Sequence, residues 1–178
     1  MAVKEAVISA CTEDILAAAD LIAAAMSAEH KLMLCGNGGS AADCQHVAAE
    51  FVWRLAGDRR ALPALALTTD TSFLTAYAND ADYAGVFARQ VAALGQSGDV
   101  LIGISTSGNS ANVVQGLMAA ADSGLKTIAL TGRDGGQMKA LADVAIVVPS
   151  ESTQFIQESH LMIEHLICEL VETAVLSH

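Results

Sequence analysis

Five short apolar runs, separated by longer helix-like stretches, constrain this chain more than any other feature. The runs are Lys31–Cys35, Leu62–Leu67, Val100–Ile104, Lys126–Leu130 and Val144–Val148. Each is bounded by Gly, Asp, Ser, Thr or Pro, as the ends of buried strands usually are. Helical stretches at Ser40–Leu55, Ser72–Leu94, Ser110–Ser123 and Gly135–Leu141 fall between them, and Val3–Ala28 and Thr153–Leu176 flank the set. Ser40, Ser72 and Ser110 stand where a hydroxyl could cap the helix that follows. Alternation of this kind predicts an α/β fold, a doubly wound five-stranded parallel sheet with helices on both faces. With 178 residues and no internal repeat or linker, the chain reads as one domain over 1–178.

Composition removes several function classes. An apolar fraction of 53% against 16% charged residues excludes disorder. The net charge of −11, from 20 acidic and 9 basic residues, argues against a nucleic-acid binder, because phosphate backbones reward clustered Lys and Arg. A small phosphorylated ligand remains compatible, since backbone amides and hydroxyls can hold one phosphate whatever the net charge. The longest apolar stretch, Ile15 to Met26, is broken by Asp20 and falls short of the roughly 18 residues of a membrane span. Met1 to Ile8 lacks the build of a signal peptide. Cys11, Cys35, Cys44 and Cys168 show no CxxC pairing and sit in apolar stretches, which reads as buried reduced thiols. These features predict a cytoplasmic protein. The first helix is apolar on more than one face, which predicts a homo-oligomer; a monomer with an alanine-rich surface is the alternative.

Ligands of such sheets sit outside the carboxyl ends of the strands. After the first strand, Gly36-Asn37-Gly38-Gly39-Ser40-Ala41 matches the relaxed dinucleotide fingerprint G-x-G-x-x-A. That fingerprint also wants an acid after the second strand, and here the first is Asp70, about ten residues late. The loop Ser105-Thr106-Ser107-Gly108-Asn109-Ser110 after the third strand holds four hydroxyls in six residues at a helix start. Capping uses one hydroxyl, so the remainder point to a neutral phosphate cradle. Thr68-Thr69-Asp70-Thr71-Ser72 is also polar, and its hydroxyls could be either ligands or caps.

Two helices offer groups for chemistry. His46 and Glu50 are four apart and share one helical face. Gln157 and His165 are eight apart, about 80° of rotation, so both can enter one cleft. The two pairs together could hold a divalent ion, and imidazole with carboxylate suits zinc. A His and Glu at this spacing can equally be a surface pair, and His160 with Glu164 repeats the pattern. His30 and His178 show no partners in the sequence and are expected to be exposed.

Several strings together resemble one family. They are Gly36-Asn-Gly-Gly-Ser-Ala-Ala-Asp43, Leu62-Pro-Ala-Leu-Ala-Leu-Thr-Thr-Asp-Thr-Ser72, Asn79-Asp80, Gly98-Asp-Val-Leu-Ile-Gly-Ile-Ser-Thr-Ser-Gly-Asn-Ser110, Leu130-Thr-Gly-Arg-Asp-Gly-Gly136 and Ile156-Gln-Glu-Ser-His160. In them the chain resembles the phosphoheptose isomerase family of the sugar isomerase (SIS) domain superfamily, from Ile15 to Glu172. The serine loop is shared across SIS domains; its combination with Thr-Thr-Asp-Thr-Ser, His46/Glu50 and Gln157/His165 is far more specific.

The resemblance implies a flavodoxin-like three-layer SIS fold whose long N-terminal helix serves oligomerisation, and a homotetramer whose sites border neighbouring subunits. It implies one zinc per subunit on His46, Glu50, Gln157 and His165. It places the sugar on Asn37, Gly38, Gly39, Ser40, Glu50, Asn79, Asp80 and Gln157, and its phosphate on Ser105, Thr106, Ser107 and Ser110. Glu50 and His165 would be the acid–base pair that converts sedoheptulose 7-phosphate to D-glycero-D-manno-heptose 7-phosphate through an enediol. That is the first step of nucleotide-activated heptose biosynthesis, which can feed lipopolysaccharide. Trp53 where the family often has glycine, Cys44 beside Gln45, and a short loop from Pro149 to Ile156 are departures that bear on substrate preference. Two other readings are a SIS-domain module that binds a sugar phosphate or a protein without turnover, as initiator-associating relatives do, and an isomerase of another sugar phosphate. A pure binding module has no need of all four of His46, Glu50, Gln157 and His165.

Overall fold

The computed structural model describes residues 2–176, so the expectation for His178 lies outside the described residues. In chain order the elements are α1 (Ala2–Ser27), β1 (Leu32–Gly36), α2 (Gly39–Val52), β2 (Ala64–Ala66), α3 (Thr71–Asp80), α4 (Val86–Leu94), β3 (Val100–Ser105), α5 (Ala111–Asp122), β4 (Lys126–Gly132), α6 (Met138–Leu141), β5 (Val144–Val148) and α7 (Thr153–Leu176). The five strands form one parallel sheet in the order β2-β1-β3-β4-β5. The α/β architecture read from the alternation is the one found.

Side-chain alternation along the strands divides the core in two. Leu32, Leu34, Ile102, Ile104, Ile128 and Leu130 face a layer made by α1, α2 and α7. Met33, Cys35, Leu101 and Ala129 face the layer of α4, α5 and α6. Each large aliphatic buried this way contributes about 1.5–3 kcal/mol, which is what holds the layers on the sheet. All four cysteines are buried and unpaired, as expected. Among the described residues no helix is long and apolar enough to cross a membrane. α1 buries one stripe, Val7, Cys11, Ile15, Ala18, Ile22 and Met26, and leaves Ile8 and Leu16 exposed. It is therefore not covered all round within the subunit.

The structure corrects several local expectations. Ser72–Leu94 is not one helix: the chain turns out at Ala81 and Asp82, and the Asp82 carboxylate accepts from Ala84 N to start a short 3-10 turn over Tyr83–Gly85. Helical periodicity continues through this stretch, but an aspartate that can bond the backbone two residues on competes with the helix. None of the three serines caps by its side chain. Gly38 occupies the cap position of α2, with Ser40 buried within that helix. Asp70 caps α3 by accepting from Phe73 N. Ser110 does sit at the cap of α5, but its hydroxyl turns to Ser105 instead. The second strand shrinks to Ala64–Ala66, and the helical part of Gly135–Leu141 to Met138–Leu141. His30 is not without a partner: its ring lies over Gly98, with Nδ1 3.7 Å from the buried carboxylate of Asp99.

Candidate active site

The strand order reverses between β1 and β3, which pair directly with Gly36 opposite Ile104. The loops after these strands diverge to helices on opposite faces and leave a crevice between them. The glycine loop and the serine loop are therefore brought side by side.

The serine loop is locked in place by close backbone approach. A Cβ on Gly108, where φ is +65°, would lie 2.0 Å from the Gly135 carbonyl oxygen, so only glycine fits. Met138 N donates to the Gly108 carbonyl, and Asn109 ties the loop further by accepting from Gln137 N. Within the loop the Ser105 and Ser110 hydroxyls are 2.9 Å apart, and Ser107 Oγ accepts from Asn109 N. At the start of α5 the amides of Val113 and Val114 donate to the Ser110 carbonyl, which leaves those of Ala111 and Asn112 without a partner within the helix. Hydroxyls and amides thus converge at the positive end of the α5 dipole, which suits one phosphate. Thr106 and Ser107 are half-buried in the same loop. In the Thr68–Ser72 loop two hydroxyls are taken by backbone carbonyls: Thr68 donates to Ala41 O of α2 and Thr69 to Ala66 O.

The second cluster lies in the groove between α2 and α7, which run side by side. At its upper end Gln157 packs on the start of α2, where a Cβ on Gly39 would lie 1.7 Å from Gln157 Nε2. About two turns on, His46 Nε2 and His165 Nε2 are 2.9 Å apart, with the rings edge-to-face. Glu50 Oε1 is 3.6 Å from His46 Nε2. The spacing of four thus sets Glu50 beside His46, and His165 of α7 meets His46, while Gln157 stands apart at the head of the groove against Gly39. Asn79 and Asp80 end α3, both exposed, with Asn79 Nδ2 donating to Asp80 Oδ1 at 2.8 Å.

The groove is braced below by a buried ion pair that the sequence did not flag. Arg59 Nε donates to Glu172 Oε1 at 2.7 Å, with the two side chains 1% and 5% exposed. The same guanidinium donates to the carbonyls of Glu50 and Phe51, so it fastens the end of α2 to α7. Burial pushes the Glu172 carboxyl up, but the amides of Leu55 and Ala56 and the Arg59 charge outweigh it and hold the group below its usual range.

His160 and Glu164, which share the spacing of the candidate ligands, are neither ligands nor a surface pair. His160 is fully buried and donates from Nε2 to the Thr131 carbonyl, and burial lowers its pKa to about 4. Glu164 is buried beside a small apolar cavity lined by Leu34, Val47, Ile104, Leu130 and Ile167, and both its carboxyl oxygens lack partners. Burial, and then the nearby Asp43 charge, raise its pKa to about 8. Asp43 Oδ2 is also buried without a partner; burial raises this acid too, against a hydrogen bond with Gln157 and the proximity of His46.

The donor set suits a divalent cation. Two imidazole nitrogens meet, a carboxylate stands beside them, and Asp43 brings an unpartnered oxygen to the same part of α2. Among the described residues no three His, Cys, Asp or Glu side chains already stand in coordinating geometry, so ion binding would have to draw Glu50 inward.

A sequence profile of the SIS domain matches residues 1–132, which ends before α7. The phosphoheptose isomerase of Aquifex aeolicus is 53% identical over 173 residues, covering 97% of this chain and 91% of the relative. The chain belongs to the phosphoheptose isomerase family. Solved phosphoheptose isomerases agree: that of Neisseria gonorrhoeae superposes with a TM-score of 0.90 at 45% identity, over 96% of this chain and 91% of its own. That of Francisella tularensis gives 0.93 at 35% identity over the same shares. Unlike the general SIS profile, these family members span α7 as well, the helix that carries Gln157 and His165.

Proposed function

We propose that the protein is a cytoplasmic phosphoheptose isomerase that interconverts sedoheptulose 7-phosphate and D-glycero-D-manno-heptose 7-phosphate, opening a route to nucleotide-activated heptose. The observation that carries this reading is the meeting of His46, Glu50 and His165 in one groove whose head, at Gly39 and Gln157, adjoins the crevice that holds the serine loop. A generic phosphosugar-binding domain needs the cradle; it does not need the groove.

The phosphate binds to Ser105, Thr106, Ser107 and Ser110, and Asn37, Gly38, Gly39, Ser40, Asn79 and Asp80 contact the sugar chain. This fixes the substrate through atoms remote from the reacting carbons, so binding energy serves orientation. His46, Glu50, Gln157 and His165 hold one zinc ion, which when bound supplies Lewis-acid polarisation of the substrate carbonyl. Glu50 takes the proton from the carbon next to the carbonyl, giving an enediol, and returns it to the neighbouring carbon. His165 moves the proton between the two oxygens. The exposed Leu161 and Leu166 beside His165, with Leu16 of α1, suit burial by neighbouring subunits in a homotetramer.

Proton NMR of the zinc-loaded protein with sedoheptulose 7-phosphate in heavy water tests the reading. A new aldose signal with deuterium at the carbon next to the carbonyl is the expected result. No conversion of this substrate, with turnover of a different ketose phosphate, would transfer the mechanism to another sugar. Binding without any turnover would leave a binding module and overturn the proposal.

A further inference from the structure

Three side chains bridge the crevice between the glycine loop and the serine loop, and only Asn37 is prominent in the sequence. Asn37 Nδ2 donates to Asn112 Oδ1 at 2.9 Å, and Asn112 Nδ2 donates back to Asn37 Oδ1 at 2.8 Å. The Tyr83 hydroxyl lies 3.1 Å from that same Asn37 oxygen. Tyr83 reaches it because the chain breaks out of helix after Asp80 and turns across the crevice.

One backbone group fixes the direction of every bond in this set. Val113 N lies 3.0 Å from Asn112 Oδ1 as well as 3.0 Å from the Ser110 carbonyl, and an amide NH₂ in place of that oxygen would set two donors against each other. The Asn112 atom it faces is therefore the oxygen, and the Asn37 atom facing that oxygen is the amide nitrogen. The other Asn37 atom is its oxygen, so the Tyr83 hydroxyl beside it donates. Both lone pairs of the Asn37 oxygen are then occupied, by Asn112 and Tyr83, while Asn37 Nδ2 retains one free N–H.

We infer that Asn112 and Tyr83 are positioning residues that make Asn37 a pure hydrogen-bond donor to the ligand, so that this point of the crevice accepts only a substrate oxygen acting as acceptor. The role rests on the sugar-phosphate reading above. Asn112 is 4% exposed and is held by the start of α5, whereas Tyr83 is 52% exposed. Its hydroxyl can therefore be removed without disturbing the core. In the Tyr83→Phe variant the Asn37 oxygen loses one of its two donors and keeps the bond from Asn112, so one of its lone pairs is opened to the crevice and the amide is held from one side only.

The test is Tyr83→Phe in the zinc-loaded full chain, with sedoheptulose 7-phosphate as the probe. The expected result is a KM raised about fivefold with kcat within about twofold, as for loss of one hydrogen bond that serves binding. The thermal midpoint stays that of the parent, and the side-chain amide signals of Asn37 move in the ¹H–¹⁵N spectrum without substrate. An unchanged KM in the folded variant overturns the inference while leaving the isomerase reading intact. A lowered midpoint with unchanged KM also overturns it, by showing a structural role. If the parent neither turns over nor, by calorimetry, binds the probe, the sugar-phosphate reading fails, and the role of Asn37 with it. Unmoved Asn37 amide signals overturn the polarity argument whatever the kinetics.

Discussion

The crevice at the carboxyl ends of β1 and β3 and the groove between α2 and α7 are built on opposite principles. In the crevice nearly every polar side chain is cross-bonded before any ligand arrives: Ser105 with Ser110, Asn37 with Asn112 and Tyr83, Asn109 with Gln137. In the groove two imidazole nitrogens face each other, and buried oxygens of Asp43 and Glu164 have no partner. A buried polar atom without a partner costs about 1–3 kcal/mol, so the groove is the less settled of the two. The crevice is prepared to receive an anion by hydrogen bonds; the groove gains most from a cation. Substitutions should therefore weaken binding in the first and abolish chemistry in the second.

The largest effect is expected at Glu50. Glu50→Gln keeps the size of the side chain and removes its basicity, and kcat should fall by about 10²–10⁴-fold. Circular dichroism and the thermal midpoint should match the parent, because Glu50 is bonded to the fold mainly through its carbonyl and Arg59. Retained activity would sink the assignment of the base. Removing metal with a chelator should also silence turnover, and zinc returned to the apo-protein should restore it and raise the thermal midpoint by mass action. His46→Gln should erase the zinc-dependent rise in midpoint; if that rise persists, the ion binds elsewhere.

Effects on the crevice side should be graded. Gly39→Ala would push a methyl group into the Gln157 amide, so that side chain must swing away from the head of the groove. A displacement of this size is expected to lower kcat/KM by about 10²-fold, with far less effect on stability. Ser110→Ala removes one cradle hydroxyl and should raise KM by about tenfold while kcat changes little. Should kcat fall as steeply as in Glu50→Gln, the division between a binding crevice and a chemical groove would be wrong.

The two regions also differed in how far they could be read from sequence. The number of strands and the layering follow from local apolar runs, and the serine loop was visible because four hydroxyls exceed what capping can use. The helical spacings of His46, Glu50, Gln157 and His165 placed each pair on a face, but nothing in a spacing says that the two faces meet. The same periodicity gave His160 and Glu164, which are buried: His160 bonds the Thr131 carbonyl, and Glu164 lies at the buried floor of the groove, near Asp43 and against an apolar cavity. Asn112 and Tyr83 carried no local signal, because their roles depend on a strand crossover and on a helix break that periodicity passed over. Arg59 and Glu172 are 113 residues apart and become partners only when α7 lies along α2.

Glu164 offers the smallest effect on activity and the sharpest test of the idea that the groove is electrostatically unsettled. Its carboxyl borders an apolar cavity, and its pKa of about 8 lies well above the ordinary glutamate value of 4.5. The unfolded chain releases this proton near pH 4.5 while the folded chain keeps it to about pH 8, so its contribution makes stability fall as pH rises through that window. His160 acts in the opposite sense. Its folded pKa of about 4, below the ordinary histidine value of 6.5, makes stability rise with pH between those limits and leaves it flat above. The two trends oppose each other below pH 6.5, and from there to about pH 8 Glu164 acts alone. Glu164→Met removes the titrating group and fills the cavity with a flexible apolar side chain. The variant should be more stable than the parent, by a margin that grows from pH 5 to pH 8 and then levels, with a midpoint several degrees higher at pH 8. Thermal melts across that range measure the margin directly. A margin independent of pH would mean that the gain comes from packing alone, and that the carboxyl is accommodated in the native groove at no electrostatic cost.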